Sequence, residues 1–415
     1  MYTLSQKGAG EKLIKTMVNK KLGINPHTNN FGVWVNDFER DTQEHPYQQD
    51  LSKISSVDKK SMIETGVDVS EKGRAGTFIQ LDHSVVHAAS LQKGLEVMNI
   101  SDALKKYDWL KDYWWKAVAK DSDEFTVLAD KESRNGYFIR ALPGVKADYP
   151  IQSCLFLKKE NLLQNVHNII IAEEGSELNI ITGCTTASYV KKGAHIGISE
   201  FYIKKGATVK FTMIHNWAEE VMVRPRSKAI VEEGGTFLSN YVCLKPVNSI
   251  QMYPTATLIG EGATARFNSI LYAHAGSHLD IGSRVILSSP NTKAEIIARA
   301  VTNGGTIITR GHLKGEAPYV KAHLECRGLI LSSDGVILAI PELEGKGKDL
   351  EMSHEAAVGK IAKEEIEYLM TRGLSSEEAQ AVIVRGFMDT TILGLPSELQ
   401  KNIDDLVKTC QEEAM

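Results

Sequence analysis

The chain has few cysteines, no long apolar run and little net charge. Its 415 residues include five cysteines, Cys154, Cys184, Cys243, Cys326 and Cys410, and none of them form a C-x-x-C pair. This odd, scattered set argues against a disulfide framework and favours a reducing cytoplasm. No stretch reaches 18 apolar residues, so we expect no membrane span. The net charge of −4 gives no electrostatic reason to expect a nucleic-acid or anionic-membrane partner.

Several motifs of catalytic chemistry are also missing. The segment EGKGKD (344–349) lacks the spacing and the hydroxyl residue of a P-loop. There is no G-x-S-x-G, no H-E-x-x-H and no dinucleotide fingerprint after a predicted strand. His274 and His312 have no partner at ligand spacing, so we interpret them as ordinary side chains. We therefore expect a protein that is not a conventional enzyme and has no ATPase motif of its own.

Between residues 146 and 345 the chain consists of short β-branched runs separated by a recurring charged-glycine tag, as in KKGATVKF and GEGATARF. The tag glycines are Gly175, Gly193, Gly206, Gly234, Gly262, Gly276 and Gly304. From Gly206 onward their intervals are 28, 28, 14 and 28, all multiples of 14. A fixed period of this kind is typical of a β-solenoid, in which stacked coils share one core. Two 14-residue units make a coil of 28, which favours a right-handed parallel β-helix over a β-sandwich.

The regions on either side of the repeats have different patterns. Residues 1–145 are predicted to be a mixed, largely helical N-terminal region, and residues 346–415 a helical C-terminal domain. In the latter, Ser375 and Glu378 form an S-x-x-E capping box, and Pro396 begins a last helix. Such helices can cap a solenoid or serve as docking surfaces. The sequence thus predicts a mainly β fold, a right-handed parallel β-helix (146–345) flanked by helical N- and C-terminal regions.

The stretch LEMSHEAAVGKI (350–361) joins the repeats to a helical pattern. Ser353 is the predicted N-cap of a helix that begins with His354 and Glu355. A single His–Glu pair is more often the polar start of a helix, where an acidic side chain interacts favourably with the dipole, than a metal site. With Cys326 upstream, this pair is nevertheless the remaining candidate for chemistry.

The segment HEAAVGKIAKEEIEYLMTRGLSSEEAQAVIVRGF (354–387) resembles the C-terminal signature of the SufB/SufD proteins, which are iron–sulfur cluster assembly scaffolds. The signature elements are His354, Tyr368-Leu369, Arg372-Gly373-Leu374, Glu377-Glu378-Ala379 and Gly386-Phe387. Upstream, EEGSELNIITGC and KFTMIHNW are similar to solenoid segments of the same family. The resemblance implies a scaffold that dimerises through its solenoid and docks a SufC-type ABC ATPase through its C-terminal helices. It also implies a transient iron–sulfur cluster, built at the dimer interface and passed to apo acceptor proteins.

The same resemblance implies roles for four residues. Cys326 in AHLECRGLIL matches the cluster-assembly cysteine of the family, and His354 and Glu355 match the polar pair that faces it. Cys184 in TGCTT matches a cysteine that accepts sulfur from a persulfide donor. Thiolate is the favoured ligand of iron–sulfur clusters, and imidazole can replace it. We therefore expect Cys326, His354 and Glu355 to form a mixed, weaker metal shell that suits release of the cluster.

Sulfur accepted at Cys184 would have to travel to Cys326, and we expect it to pass polar residues inside the solenoid. The candidates along that route are His215, Asn216 and Lys228. A cysteine in a strand can equally be a small buried hydrophobe. That interpretation is kept for Cys154, Cys243 and Cys410.

Several alternatives stay open at the level of the sequence. The tripeptide Ser353-His354-Glu355 combines features of the SufB and SufD patterns. Two copies of this one chain could therefore supply both halves of the site as a homodimer. A heterodimer with a SufD-like chain, or a non-catalytic SufD-like adaptor, is the alternative. A carbohydrate-active β-helix enzyme would need acids clustered on one solenoid face. The repeats instead carry acids at turns, such as Glu173-Glu174 and Glu232-Glu233.

Overall fold

The computed structural model describes residues 35–70, 72–132, 135–388, 390–393, 400–401 and 403–405. The chain divides into two units, Met1–Phe38 and Glu39–Met415. The described part of the first unit holds one 3-10 helix, Val35–Asp37. Pro396, where a last helix was predicted to begin, and Cys410 lie outside the described residues.

The second unit is built mainly from strands. Its described α-helices are Ser56–Ile63 (α1), Ile100–Lys106 (α2), Glu124–Glu132 (α3), Lys363–Thr371 (α4) and Ser376–Phe387 (α5). Its short 3-10 helices are Leu51–Lys53, Asp108–Asp112 and Thr390–Leu393. The first strands are Gly76–Leu81 (β1), Ser84–Ser90 (β2), Leu95–Asn99 (β3), Tyr137–Ala141 (β4), Ile151–Leu157 (β5), Leu162–Ala172 (β6), Glu177–Thr186 (β7), Lys192–Ile203 (β8), Thr208–Asn216 (β9), Glu220–Val223 (β10) and Arg226–Val231 (β11). The remaining strands are Thr236–Cys243 (β12), Ser249–Met252 (β13), Thr255–Leu258 (β14), Thr264–His274 (β15), His278–Leu287 (β16), Lys293–Asn303 (β17), Thr306–Gly315 (β18), Lys321–Ile330 (β19), Val336–Gly345 (β20) and Glu351–Lys360 (β21).

The strands form two sheets that wind as a solenoid of about eight turns. Sheet I runs in the order β2-β1-β5-β7-β9-β12-β15-β17-β19-β21. Sheet II begins with β3, β4, β6 and β8 and ends with β16, β18 and β20. Between these strands, each coil of sheet II consists of two shorter strands. β10 is separated from β11 near Pro225, and β13 is separated from β14 near Pro254, because proline has no N–H to donate to the hydrogen-bond ladder. The predicted mainly β solenoid with helices at its ends is confirmed.

The register of sheet I shows the predicted period directly. Thr208 pairs in parallel with Thr236, and Thr236 pairs with Thr264, which is the coil-to-coil spacing of 28 that the glycines predict. Glu177 pairs with Thr208, so the coil before them is longer. At the other end Lys321 pairs with Glu351, again at a wider spacing. The 28-residue coil is therefore right for the middle of the solenoid, and these two end coils are longer.

The tag glycines mark the turns between the two sheets. All but Gly193, which lies within β8, have positive φ, a conformation that side chains with a Cβ rarely adopt. Gly206, Gly234 and Gly262 lie where the chain passes from sheet II to sheet I. Gly276 and Gly304 lie at the opposite passage, from sheet I to sheet II. The single 14-residue interval is therefore half a coil.

The sheets extend beyond the predicted boundaries of 146 and 345. Strands β1 to β4 precede residue 146, and β21 follows residue 345. Ser353 is accordingly not a helix N-cap, because Glu351–Lys360 pairs in register with β19 over its whole length. Completing the hydrogen-bond ladder of β19 outweighs the local helical pattern of this segment. The helix begins later, at Lys363.

The C-terminal helices differ in how they pack. α5 begins with the predicted capping box, in which the Ser375 hydroxyl accepts a bond from the Glu378 N–H and the Glu378 carboxylate accepts one from the Ser375 N–H. Val384 and Met388 then pack against the outer face of sheet I. α4, in contrast, buries none of its residues. It forms an arm that contacts α5 rather than the solenoid core.

A buried carboxylate holds the N-terminal region on the outer face of sheet II. Glu200 on β8 is fully buried and accepts hydrogen bonds from the backbone N–H groups of Trp115 and Ala117. His167 Nε2 donates a further bond of 2.8 Å to Glu200, and the Trp114 ring stacks on His167. Up to residue 145 the described part holds three α-helices and four strands.

Replacing Gly206 by alanine should destabilise the protein by about 1–2 kcal/mol, because φ is +63° there and an L-residue is strained in that region. No atom lies within 4 Å of the added Cβ, so the loss comes from the backbone alone. The measurement is the free energy of unfolding in urea. Gly386→Ala in α5 is the control, where equal room and a helical backbone should give a stabilisation of about 0.5–1 kcal/mol. An unchanged stability in Gly206→Ala would contradict this assignment of the turn.

Candidate functional site

The in-register strands of sheet I align inward side chains of successive coils into rows. Because side chains alternate between the faces of a strand, every second residue points into the coil. One row, which we call the Cys184 row, consists of Leu155, Cys184, His215, Cys243, Leu271, Ala300 and Gly328. The neighbouring Cys326 row consists of Ser153, Thr182, Met213, Tyr241, Ser269, Ala298 and Cys326. Both predicted cysteines therefore face the same interior.

Cys184 is held as a protected thiol. It lies on β7, is fully buried and belongs to the main core cluster. Burial raises the pKa of the Cys184 thiol well above its ordinary value, and the nearby Cys154 raises it further. The reactive form of cysteine is the thiolate, so the resting chain shields this residue from reaction.

Cys326 lies near the other end of the same interior. It is 2% exposed on β19, and burial raises its pKa, while a hydrogen bond with Thr309 of sheet II offsets part of this rise. Five strand steps separate β7 from β19 in sheet I. At about 4.8 Å for each step, Cys184 and Cys326 are about 24 Å apart along the solenoid. No direct exchange between these two thiols is possible at that distance.

The structure separates the predicted pair His354-Glu355 onto two faces of β21. Cys326 is in register with Ala356, two residues from His354, so His354 shares the inner face with Cys326. Glu355 is in register with Glu325 on the outer face, where Arg299 and Arg327 both pair with Glu325. Within the described residues, no group of three or more His, Cys, Asp and Glu side chains is arranged to hold a metal ion. One chain thus brings Cys326 and His354 onto a common face but leaves Glu355 on the other.

Of the three polar residues predicted along the route, only His215 faces the interior. Asn216 follows it on the outer face, where its amide donates a 3.0 Å bond to the Glu64 carboxylate. Lys228 is in register with Glu200, whose side chain points outward. The interior instead holds polar residues that the sequence does not single out, above all Tyr241 and His195.

These interior polar groups are hydrogen-bonded to one another. The Tyr241 hydroxyl and His215 Nδ1 are 2.9 Å apart. His195 Nδ1 donates a 2.9 Å bond to the amide oxygen of Gln164. Burial lowers the pKa of both histidines, that of His195 to about 3. Both rings are therefore neutral at physiological pH and can accept a proton from a neighbouring thiol only transiently.

Free space adjoins the Cys326 row. A small, partly open cavity lies between the sheets. Its walls include Phe201, Phe211, Met213, Phe237, Tyr241 and Phe267. Two members of the row, Met213 and Tyr241, therefore border unfilled volume. The small side chains Ser269 and Ala298 continue the row towards Cys326.

Among the residues that the structure describes, none covers the last coil of the solenoid. In the inner coils most inward side chains are buried, whereas Val358 on β21 is 42% exposed and Leu343 on β20 is 39% exposed. β21 is the last strand of sheet I, and one of its edges has no partner strand within the described residues. In the described part of the chain no helix is both long and apolar enough to cross a bilayer.

The fold and the site together define a class of protein: a parallel β-solenoid with thiols inside the coil, an uncovered last coil and a helical arm. A family model described as "SUF system FeS cluster assembly, SufBD core domain" matches residues 155–387. The chain is 53% identical over 359 residues to an iron–sulfur cluster assembly SufBD family protein of Archaeoglobus fulgidus, covering 86% of this chain and 96% of the relative. It is 50% identical over 372 residues to a SufBD family protein of Methanothermobacter thermautotrophicus (strain Winter), covering 88% and 91%. A Staphylococcus haemolyticus SufBD family protein is 31% identical over 377 residues, covering 87% and 79%.

This chain belongs to the SufBD family of iron–sulfur cluster assembly proteins. The predicted family resemblance is confirmed over most of the chain. The matched region begins on β5 and ends on α5, so it includes Cys184, Cys326 and His354.

Lowering the pH should destabilise the protein through its buried neutral histidines. Between the ordinary pKa of about 6.5 and the folded value of about 3, His195 binds a proton in the unfolded chain but not in the folded one. The free energy of unfolding therefore falls as pH falls, by about 2 kcal/mol from this residue between pH 7 and pH 5. Urea denaturation at the two pH values measures the difference. His195→Gln should reduce it by about that amount, and an identical pH dependence in the variant would refute the assignment.

Proposed function

We propose that this protein is a scaffold on which an iron–sulfur cluster is built as cargo and from which it passes to apo acceptor proteins. The observation that carries the proposal is that Cys184 and Cys326 face one shared interior in a member of this assembly family. The protein acts in the cytoplasm, as a homodimer, together with a SufC-type ABC ATPase. A heterodimer with a SufD-like chain is the alternative assembly.

Sulfur enters at Cys184. The Cys184 thiolate attacks the outer sulfur of a donor persulfide, so a bond forms to Cys184 Sγ, the donor's S–S bond breaks, and the donor leaves as a thiolate. His215, the register partner of Cys184 on β9, is a neutral imidazole that can take the thiol proton. Because Cys184 is fully buried, the interior must open for this step. We propose that ATP hydrolysis by the docked ATPase supplies the free energy for this opening.

The Cys326 row is the proposed route through the solenoid. Ser153 and Thr182 hydrogen-bond across neighbouring strands at 2.6 Å, and Tyr241 links this row to His215. Beyond Tyr241 the small side chains of Ser269 and Ala298 leave room beside the adjoining cavity. This arrangement supports sulfur transport inside the coil, away from solvent.

Cys326 and His354 are the proposed cluster ligands. Thiolate and imidazole both suit iron, and a shell with only one cysteine from each chain binds more weakly than four cysteines would. Since the described residues of one chain do not complete a site, a second copy would have to supply further ligands. Glu355 stays a predicted ligand. Because it lies on the outer face of β21, it would reach the cluster only across the partner's surface or after the strand edge rearranges.

The uncovered last coil is the proposed dimer surface. Val358 and Leu343 leave apolar area exposed there, and the free edge of β21 can pair with the same edge of a second copy. The ATPase docks on the helical arm, where α4 buries nothing and Tyr368 and Met370 are exposed. Interfaces of this kind are typically enriched in aromatic and methionine side chains.

Cys326→Ala should abolish cluster formation, because it removes the thiolate ligand of the site. The measurement is visible charge-transfer absorption and iron content after anaerobic reconstitution with ferrous iron and sulfide. Cys154→Ala is the matched control, since Cys154 is also fully buried but packs in a different cluster, with Leu51 and Met62. Unchanged cluster content in Cys326→Ala would reject this site and place the cluster ligands elsewhere.

Val358→Asp should weaken the homodimer, because it places a charge on the apolar end of the last coil. Sedimentation equilibrium should show a dissociation constant raised by about 100-fold or complete conversion to monomer. Tyr368→Asp, at an exposed position on the arm, should leave the dimer intact. A Val358→Asp protein that dimerises like the wild type would place the interface elsewhere.

A further inference from the structure

Cys243 lies two strands from the proposed sulfur acceptor, in the same inward row, and has no part in the proposed route. It is 1% exposed on β12, and its register partner on β9 is His215. His215 in turn is the register partner of Cys184 on β7. Two buried thiols therefore flank one neutral imidazole on three successive strands. Tyr241, two residues before Cys243, hydrogen-bonds that same imidazole.

A second observation marks this place as one that receives a ligand. Trp217 is 4% exposed, and within the described residues its indole N–H is buried without a hydrogen-bond partner. The ring lies 5.6 Å from the His215 ring and 5.1 Å from the His195 ring. Inside a core an N–H left without an acceptor is costly. An anionic sulfur atom beside these rings would accept that bond.

We infer that Cys243 is a second persulfide-forming residue, which takes the outer sulfur from Cys184 and holds it on the way to Cys326. This inference rests on the proposed function. The Cys243 thiolate attacks the outer sulfur of the Cys184 persulfide, a new S–S bond forms at Cys243, and the bond to Cys184 Sγ breaks. The outer sulfur keeps its oxidation state, so no oxidant or reductant is needed. His215 takes the proton that Cys243 loses and returns it to the Cys184 thiolate.

The spacing of the strands favours an intermediate thiol. Cys184 and Cys243 are two strand steps apart, about 10 Å between their backbones, and the added sulfur of the persulfide lengthens the Cys184 side chain by one S–S bond. From Cys243 to Cys326 there are three steps, about 14 Å. An intermediate at Cys243 thus divides the distance of about 24 Å that sulfur must cover.

The test follows sulfur through the wild-type chain. The full-length protein, together with its partner ATPase and ATP, is mixed with glutathione persulfide, samples are alkylated over time, and mass spectrometry locates the extra sulfur on each cysteine. We expect it on Cys184 first, then on Cys243 and then on Cys326. A time course in which Cys243 never carries sulfur would overturn the inference, and this readout needs no substitution.

Two different substitutions of Cys243 test the same step. A folding defect caused by only one of them can then be told apart from loss of the thiol. In Cys243→Ser and Cys243→Ala, loading of Cys184 should be unchanged, whereas the arrival of sulfur at Cys326 should slow by about tenfold or more, since the intermediate nucleophile is gone. Cys154→Ser is the control, because Cys154 is buried on the outer side of β5 and should leave the timing unchanged.

The outcomes separate this inference from the proposed function. Arrival at Cys326 at the wild-type rate in both Cys243 variants would remove the intermediate and leave the scaffold proposal standing. Sulfur that collects on Cys184 and Cys243 but never reaches Cys326 in the wild type would support the step between the first two thiols. That same result would contradict the proposed route to the cluster site.

Discussion

In-register parallel pairing within sheet I is the constraint on which the rest of the structure depends. Because the coils are nearly equal in length and the strands stay in register, residues one coil apart fall into the same inward row. A shift of one residue would turn every inward side chain outward. The positive-φ glycines at the turns preserve that register, since they let the chain reverse between sheets without changing the coil's phase. Pairing thus decides which residues can meet inside the solenoid.

Burial protects the thiols of the interior from reaction. Cys184 and Cys326 are shielded from oxidants in solution, and their raised pKa values keep them as thiols. The polar groups around them are paired, as Tyr241 is with His215, because an unpaired polar group in the core is costly. The unpaired indole N–H of Trp217 is an exception inside the described coil, and it lies beside the thiols. Chemistry inside this solenoid therefore requires an opening step, and we propose that a partner ATPase drives it.

The sequence predicts the coil length and the family far better than it predicts which face of a strand each side chain occupies. Glycine spacing predicted the 28-residue coil, yet Asn216 and Lys228 face outward, one residue out of phase with inward neighbours. Strands covered on both faces hide their alternation, and β6 is buried at every position. The sequence predicts a helix from His354 onward, whereas 351–360 is a strand, because pairing with β19 is not encoded locally. The sequence does carry a signal for the shared row, since Cys184, His215 and Cys243 follow one another at intervals of about one coil.

Whether sulfur moves through the interior can be measured with one substitution that narrows the row. Ala298 lies in the Cys326 row between Ser269 and Cys326, so Ala298→Leu should obstruct that row. Ala294→Leu adds the same bulk to the same strand and face outside the row, with equal burial in the wild type. After loading with glutathione persulfide, we predict normal sulfur on Cys184 in both variants and loss of sulfur at Cys326 in Ala298→Leu alone. Wild-type arrival at Cys326 in Ala298→Leu would contradict transport through the coil.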